Sequence, residues 1–338
     1  MTEEAHVFTV LGEALLDMVQ PSPGDTYRAL PAGGPLNIAV GLRRLGHPTA
    51  MMARFSSGAL GGRVRQFALD SDLDLSASVS TDQQATLAFA TVDDNGRAAY
   101  DFFVREAADW GWTPDELAGL PGVTQAVHTG SLATAIEPGA GVIVDWWDTL
   151  SRDGVVLLSF DPNIRPALVG PRESAVRRVE TLVSRAHVVK ASDEDLSWLY
   201  PDVDPADTIR RWSRLGPSLA VLTRGPGGCL GVTRDSREVD LGPSQVVVVD
   251  TIGAGDAFQS GLLSALADAD RLSPESVSSL SEDDVRRALE RAQAVAALTC
   301  ERAGASPPTR AEYDAFTAGP ADGSAQPPTS PSADGQDR

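Results

Sequence analysis

The chain of 338 residues carries 28 basic against 47 acidic residues, a formal net charge of −19, and is 42% hydrophobic. The apolar share suits a sizeable core, while the charge repels the phosphates of nucleic acids and anionic membrane surfaces, so any phosphorylated ligand must rely on local backbone donors or a metal. Cys229 and Cys300 are too few for a disulfide framework, the acidic N-terminus lacks a basic leader, and no apolar run approaches the ~20 residues of a membrane span; a cytoplasmic protein with no nucleic-acid or membrane partner is expected.

In chain order, Val7 to Leu11 reads as a first strand ending at Gly12-Glu13, and Pro35 to Leu45 as a helix closed by Gly46. Between them, Gln20 to Pro31 is polar and turn-rich and leaves the main body. Thr86 to Val92 and Ala98 to Val104, joined by Asp93-Asp94-Asn95-Gly96, form a hairpin signature, so segments 17–31 and 85–107 predict a small β-sheet lid. From about Gly122, strands and helices alternate: Ala126 to Thr129, Gly141 to Leu150 (helix), Val155 to Asp161, Arg172 to Ser184 (helix), Val188 to Lys190, Asp193 to Leu199 (helix) and Ala220 to Thr223. This pattern predicts an α/β fold, a mainly parallel central sheet with helices on both faces. Glu238 to Leu241 and Gln245 to Val249 read as a further strand pair, and Ala257 to Leu266 and Glu282 to Cys300 as helices. The body thus occupies residues 1–316, and 317–338, rich in Pro, Gly, Ser and Asp, reads as a disordered tail.

Lys190 is the only lysine. A Walker A loop needs Gly-Lys-Ser/Thr and a protein kinase needs a strand lysine on the nucleotide phosphates; Lys190 stands in neither context. The strongest local signal is VVVVDTIGAGDAFQSGLL, Val246 to Leu263, where Gly253-Ala254-Gly255-Asp256 opens a helix. Backbone N–H groups and the macrodipole at such a point make an anion hole, and an acid in the first turn is placed to act as a general base. The same tetrapeptide also suits a plain tight turn with an N-terminal acid. GPGGCLG at 225–231 has glycines like a dinucleotide loop but is followed by no helix.

DTIGAGDAF resembles the signature of the PfkB carbohydrate kinase family, DTxGAGDxF, and other landmarks follow in order. They are Gly12-Glu13-x-Leu15-x-Asp17; Ala32-Gly33-Gly34-Pro35-Leu36-Asn37-Ile38-Ala39; Asp161-Pro162-Asn163-x-Arg165; Lys190-x-Ser192; and Thr223-Arg224-Gly225-x-x-Gly228. The resemblance spans about residues 5 to 316. It implies a ribokinase-like fold and transfer of the γ-phosphoryl group of Mg-ATP to a small sugar, fructose first, with ribose, 2-keto-3-deoxygluconate and, less so, nucleosides as alternatives.

Carried residue by residue, the resemblance makes Asp256 the base and Gly253, Ala254 and Gly255 the anion hole. Asp17 and Asn37 meet vicinal hydroxyls, Gly33 and Gly34 let the sugar approach the backbone, Arg165 lies by substrate and phosphates, and Arg105 matches a lid arginine of fructokinases. Lys190, Ser192, Thr223, Gly225 and Gly228 fall to ATP. The family's Asn-x-x-Glu, which helps hold Mg²⁺ through water, is Ser192-Asp193-Glu194-Asp195 here, giving Asp195. An activating K⁺ would take carbonyls of Asp250, Ile252 and Gly304, and the helix Ala288 to Thr299 with Gly304-Ala305 would wall the adenine. Phe55 to Gly61 lacks an aspartate of many relatives, and Val104 stands where a tyrosine often precedes the lid arginine. Lid strands of this kind pair between subunits, which would give a homodimer. Two other classes stay open: a catalytically silent sugar sensor, and a Schiff-base lyase built on Lys190.

Overall fold

The computed structural model describes residues 8–20, 26–92, 98–121, 123–244 and 246–318. The chain opens with β1 (Phe8–Leu11), then β2 (Leu15–Val19), β3 (Arg28–Ala32), α1 (Gly34–Arg44), β4 (Thr49–Met52), β5 (Arg54–Ser56), α2 (Ala59–Asp70) and β6 (Val79–Thr81). Next come β7 (Leu87–Val92), β8 (Ala98–Phe103), β9 (Ala126–Gly130), α3 (Gly139–Asp153), β10 (Leu157–Asp161), α4 (Arg172–Arg185), β11 (Val188–Ser192) and α5 (Asp193–Leu199). The remainder is α6 (Pro205–Ser213), β12 (Leu219–Thr223), β13 (Cys229–Thr233), β14 (Glu238–Leu241), α7 (Ala254–Asp268), α8 (Pro274–Val277), α9 (Glu282–Cys300) and α10 (Arg310–Ala318).

The main sheet has eight strands in the order β14-β13-β12-β11-β10-β9-β1-β4. From β4 to β12 the pairs are parallel, and β13 and β14 join antiparallel. The parallel strands are buried along almost their whole length because both faces are covered, and the few polar side chains among them, such as His128, Asp161 and Lys190, are buried too. One apolar core takes Leu36 and Leu42 of α1 and Leu262, Leu263, Ala288 and Leu289 of α7 and α9. The other takes Ile143 and Trp147 of α3, Leu182 of α4, Leu196 of α5 and Trp212 of α6. From β1 the chain builds toward β4 on one side and from β9 toward β12 on the other, so a crevice opens at the carboxyl ends of β1 and β9, where ligands of such sheets bind.

The lid is a separate four-stranded sheet, β3-β2-β7-β8, and its predicted hairpin pairs Leu87↔Phe103 through Val92↔Ala98. The hairpin turn lies outside the described residues. So does most of the predicted tail, although Thr317 and Ala318 belong to α10.

The predicted strand Gln245 to Val249 begins at Gln245, outside the described residues; the described part, Val246 to Val249, forms no ladder, and Val247, Val248 and Val249 are 78%, 57% and 61% exposed. The amides of Val249 and Asp250 donate instead to the Cys300 carbonyl at the end of α9, at 2.8 and 3.1 Å. β14 pairs with Cys229–Thr233, which is buried on both faces. A β-branched run makes a strand only where a neighbour is available.

Candidate active site

A cleft of about 680 Å³ lies between the lid and the carboxyl ends of β1, β9, β10 and β11. It gathers Asp17, Gly33, Gly34, Asn37, Arg165, Ser192, Asp195, Ile252, Gly253, Gly255 and Asp256 from across the sequence.

The floor is the start of α7. Gly253, its cap, has φ +76°, and an added Cβ would come 2.6 Å from that of Ala305, so glycine is required there. The Ala254 amide is engaged by the Thr251 carbonyl at 3.2 Å, whereas those of Gly255 and Asp256 donate to no described residue. Together with the helix dipole they form the anion-attracting point. The Asp256 carboxylate is held by Asn37, whose Nδ2 donates to Oδ2 at 2.8 Å, so the two predicted residues act as one unit. Burial raises the Asp256 pKa, opposed by the Asn37 hydrogen bond and by the charges of Lys190 and Arg165. Gly34 leaves room beside it: an added Cβ would lie 2.9 Å from Asn163 Nδ2 and 3.3 Å from Asp256 Oδ1.

Asp17 enters from the lid. On β2 it is paired with Leu30 on one side and Ala88 on the other, and Ala88 with Phe102, so these side chains share the face turned to the cleft. Burial pushes its carboxyl up to about 6, against the pull of Arg165. Arg165 donates to Asn163 Oδ1 at 2.8 Å and acts electrostatically on both Asp17 and Asp256.

Other predicted residues lie elsewhere. Lys190 is buried beneath the floor, its Nζ 2.7 Å from Asp161 Oδ2 and 3.4 Å from where a Cβ on Gly255 would sit. Burial would lower its pKa, but Asp161, Asp195 and Asp256 outweigh that and hold it above the ordinary lysine value. An amine kept protonated in this way is a poor Schiff-base nucleophile. Thr223 is registered beside Ser192 at the same sheet edge, and Gly225 and Gly228 follow it, outside the cleft lining. Arg105 is exposed on a turn past β8 and lines a different groove, with Phe103, Gly58 and Leu60. Strand alternation explains it: Phe102 faces the cleft and Phe103 faces away, and the chain turns outward there.

Asp195 is an N3 capping residue of α5. Its Oδ2 accepts from Ser192 N at 3.0 Å and Ser192 Oγ at 2.7 Å, and its Oδ1 from Ile164 N at 2.7 Å. Little of this carboxylate is left for a metal, and the freer acid on the cleft wall is its neighbour Glu194. Among the described residues no group of three or more His, Cys, Asp or Glu side chains is arranged to hold a metal. Asp250 joins the three residues expected around K⁺: its carboxylate accepts from Ile252 N at 3.0 Å and Gly304 N at 2.8 Å.

Sequence reasoning assigned no role to Glu13, Ser131, Asn163 or Trp198, which also line the cleft. Ser131 and Asn163 hold φ of +54° and +37°, unusual for non-glycine residues. Their one sequence signal was the position of Asn163 inside Asp-Pro-Asn-x-Arg.

The pfkB family carbohydrate kinase profile matches residues 8–312. A fructokinase of Rhizobium leguminosarum bv. trifolii is 33% identical over 278 residues, 81% of this chain and 84% of that protein. A fructokinase of Salmonella typhimurium is 32% identical over 260 residues, 76% of this chain and 83% of that one. Among solved structures, fructokinase with bound ATP from Xylella fastidiosa superposes with TM-score 0.82 at 26% identity, covering 90% of this chain and 96% of that chain. A Vibrio cholerae fructokinase double mutant with fructose, ADP and potassium bound gives 0.78 at 25%, covering 94% and 99%.

Proposed function

Since this chain belongs to the pfkB family of carbohydrate kinases, as an ATP-dependent phosphotransferase with an alcohol acceptor, we propose that it phosphorylates a hydroxyl of fructose with Asp256 as the general base. The observation that carries this reading is the Asn37-held Asp256 carboxylate beside the Gly255 and Asp256 amides, which donate to no described residue, in the same cleft as Asp17. Asp17 and Asn37 engage sugar hydroxyls. As the sugar oxygen bonds to the γ-phosphorus, its proton passes to Asp256, and the bond to the β-phosphate oxygen breaks with its electron pair leaving on ADP. The Gly253 to Gly255 turn and Arg165 meet the charge on the transferring group. Mg²⁺ would be held at the cleft wall by Glu194, the acid left free of the α5 cap, and would supply further charge neutralisation. The Asp250 clasp supports K⁺ at the neighbouring loop, in keeping with the potassium named for the Vibrio cholerae structure.

The test is sugar-dependent ADP release across fructose, ribose and 2-keto-3-deoxygluconate. Fructose should give the highest kcat/KM; a better value for another sugar reassigns the substrate, and no release with any overturns the kinase reading in favour of a silent sensor. The lid supports a homodimer through its outer face, where Phe103 is 60% and Tyr27 38% exposed. Sedimentation at monomer mass would refute that arrangement. Among the described residues no helix is long and apolar enough to cross a membrane.

A further inference from the structure

Asp109 touches no part of the cleft, yet both of its carboxylate oxygens are committed to the lid. It is 2% exposed, on a short turn of 3-10 helix, Ala108–Trp110, just after β8 leaves the lid. Oδ1 accepts the Ala14 amide at 2.8 Å, at the root of β2. Oδ2 accepts the Thr86 hydroxyl at 2.6 Å, at the root of β7. The same roots are stitched to each other, Leu16 N to the Thr86 carbonyl at 3.1 Å, and Ala108 N donates to the Gln84 carbonyl at 2.8 Å.

Three of the four crossings between body and lid therefore meet at one carboxylate. The fourth, from β3 into α1, closes on the neighbouring Glu13: an added Cβ on Gly33 would lie 2.5 Å from the Glu13 carbonyl oxygen. Glu13 Oε2 in turn accepts the amide of Ala133 at 3.1 Å, on the cleft-lining segment after β9. The charged groups facing Asp109 are Glu13 and Arg54, and the Arg54 guanidinium is itself paired with Glu116 while its Nε donates to the Ala108 carbonyl at 2.9 Å. Its own oxygens are thus free to serve the lid alone.

We propose that Asp109 is a positioning residue that fixes the pitch of the lid over the cleft, and through it the reach of Asp17 to the sugar. The proposal rests on reading the cleft as the sugar site. Its geometry separates two substitutions. Alanine removes both hydrogen bonds. Asparagine keeps both, Oδ1 accepting from Ala14 and Nδ2 donating to the Thr86 hydroxyl, and removes only the charge.

Amide hydrogen exchange of the ligand-free protein and steady-state kinetics test it together. In Asp109→Ala, exchange should quicken by about tenfold or more in residues 15–19 and 87–92 while the main sheet keeps its protection. Sugar KM should rise about tenfold or more, with kcat and ATP KM changing by less than about threefold. Asp109→Asn should restore sugar KM to within about threefold of the parent. Should Asp109→Ala not fold, Thr86→Val, which removes the Oδ2 bond alone, must show the same selective loosening with a smaller rise in sugar KM. Uniform loss of protection with kcat and kcat/KM falling together would overturn the proposal, as would unchanged lid exchange. The exchange arm needs no sugar, so an error in the sugar reading shows separately, as absent turnover by the unmodified chain.

Discussion

The floor of the cleft is the first turn of a fifteen-residue helix packed into one of the two large cores, with Asp256 tied to Asn37 and Lys190 lodged beneath it. Its roof is a four-stranded sheet whose small buried cluster is Leu15, Ala32 and Ala88 with Phe102 against it, and whose outer face is an aromatic string, Tyr27 on Phe89 on Phe103. In the proposed mechanism the base, Asp256, is fixed on the rigid element, as a group that must meet a reacting proton within a hydrogen bond's tolerance requires. The proposed sugar-binding acid, Asp17, rides on the element with fewer anchors, where opening is cheap. That mechanism makes chemistry and recognition separable by mutation.

The largest effect should come from the floor. Asp256→Asn keeps the size and the Asn37 contact and cannot take a proton, so kcat should fall by about 10² to 10⁴ while sugar and ATP KM stay within a few-fold. A purified, folded variant retaining more than about a tenth of parental kcat would remove Asp256 from the role of base.

The roof gives the converse. Asp17→Ala should raise sugar KM roughly ten- to a hundredfold, the worth of one or two charge-assisted hydrogen bonds, with ATP KM unmoved. An equal rise in both constants would erase the distinction between the two walls.

A pH series sharpens the same contrast. The Asp17 carboxyl is raised to about 6, so ionised Asp17, the form proposed to accept from two sugar hydroxyls, is lost as pH falls through that value. Sugar KM should be about tenfold higher near pH 5 than near pH 7, and flat across that window in Asp17→Asn. Stability runs the other way. A folded pKa above the unfolded one means that this group's contribution is full below about pH 4 and is lost as pH rises through about 6. Asp17→Asn should therefore melt higher than the parent near pH 7.5, with the gap closing toward pH 4; a constant gap would assign the raised affinity for the proton to some other group.

The two walls also differ in how far they were legible. The floor could be read from side-chain types at fixed spacing: the glycines and acid of Gly-Ala-Gly-Asp, and Asn37 after Gly33-Gly34, all reach one cleft. α9 was bounded correctly at both ends because Ser281 and Asp284 form a capping box before a long apolar stripe. Contacts set by register were not legible. Whether Phe102 or Phe103 faces inward, and hence where Arg105 goes, depends on a pairing with β7 that local composition does not fix. Asp109 gave no signal because its partners are a backbone amide 95 residues away and a threonine hydroxyl 23 away. Asp195 looked like a metal acid, and only the Ile164 amide and the Ser192 cap reveal how its oxygens are used. The valine run misled because propensity was read without asking which strand would receive it.

Arg105 supplies the smallest effect and the sharpest check on the roof. It is exposed, lines the groove beside α2 and not the cleft, and sits one turn beyond the outward-facing Phe103. A long side chain with its charge in water contributes little to a ligand on the other side of the sheet. Arg105→Ala should therefore change sugar KM by less than about twofold, whereas Arg165→Ala, at the cleft wall beside Asn163, should raise it about tenfold or more. If Arg105→Ala instead matches Arg165→Ala, the arginine reaches a sugar from the outer face of the lid. That outcome would require either a lid that turns over on binding or a cleft completed by a second copy of the chain. Repeating the measurement across a hundredfold range of protein concentration separates these, since only the second makes the effect of Arg105→Ala depend on association.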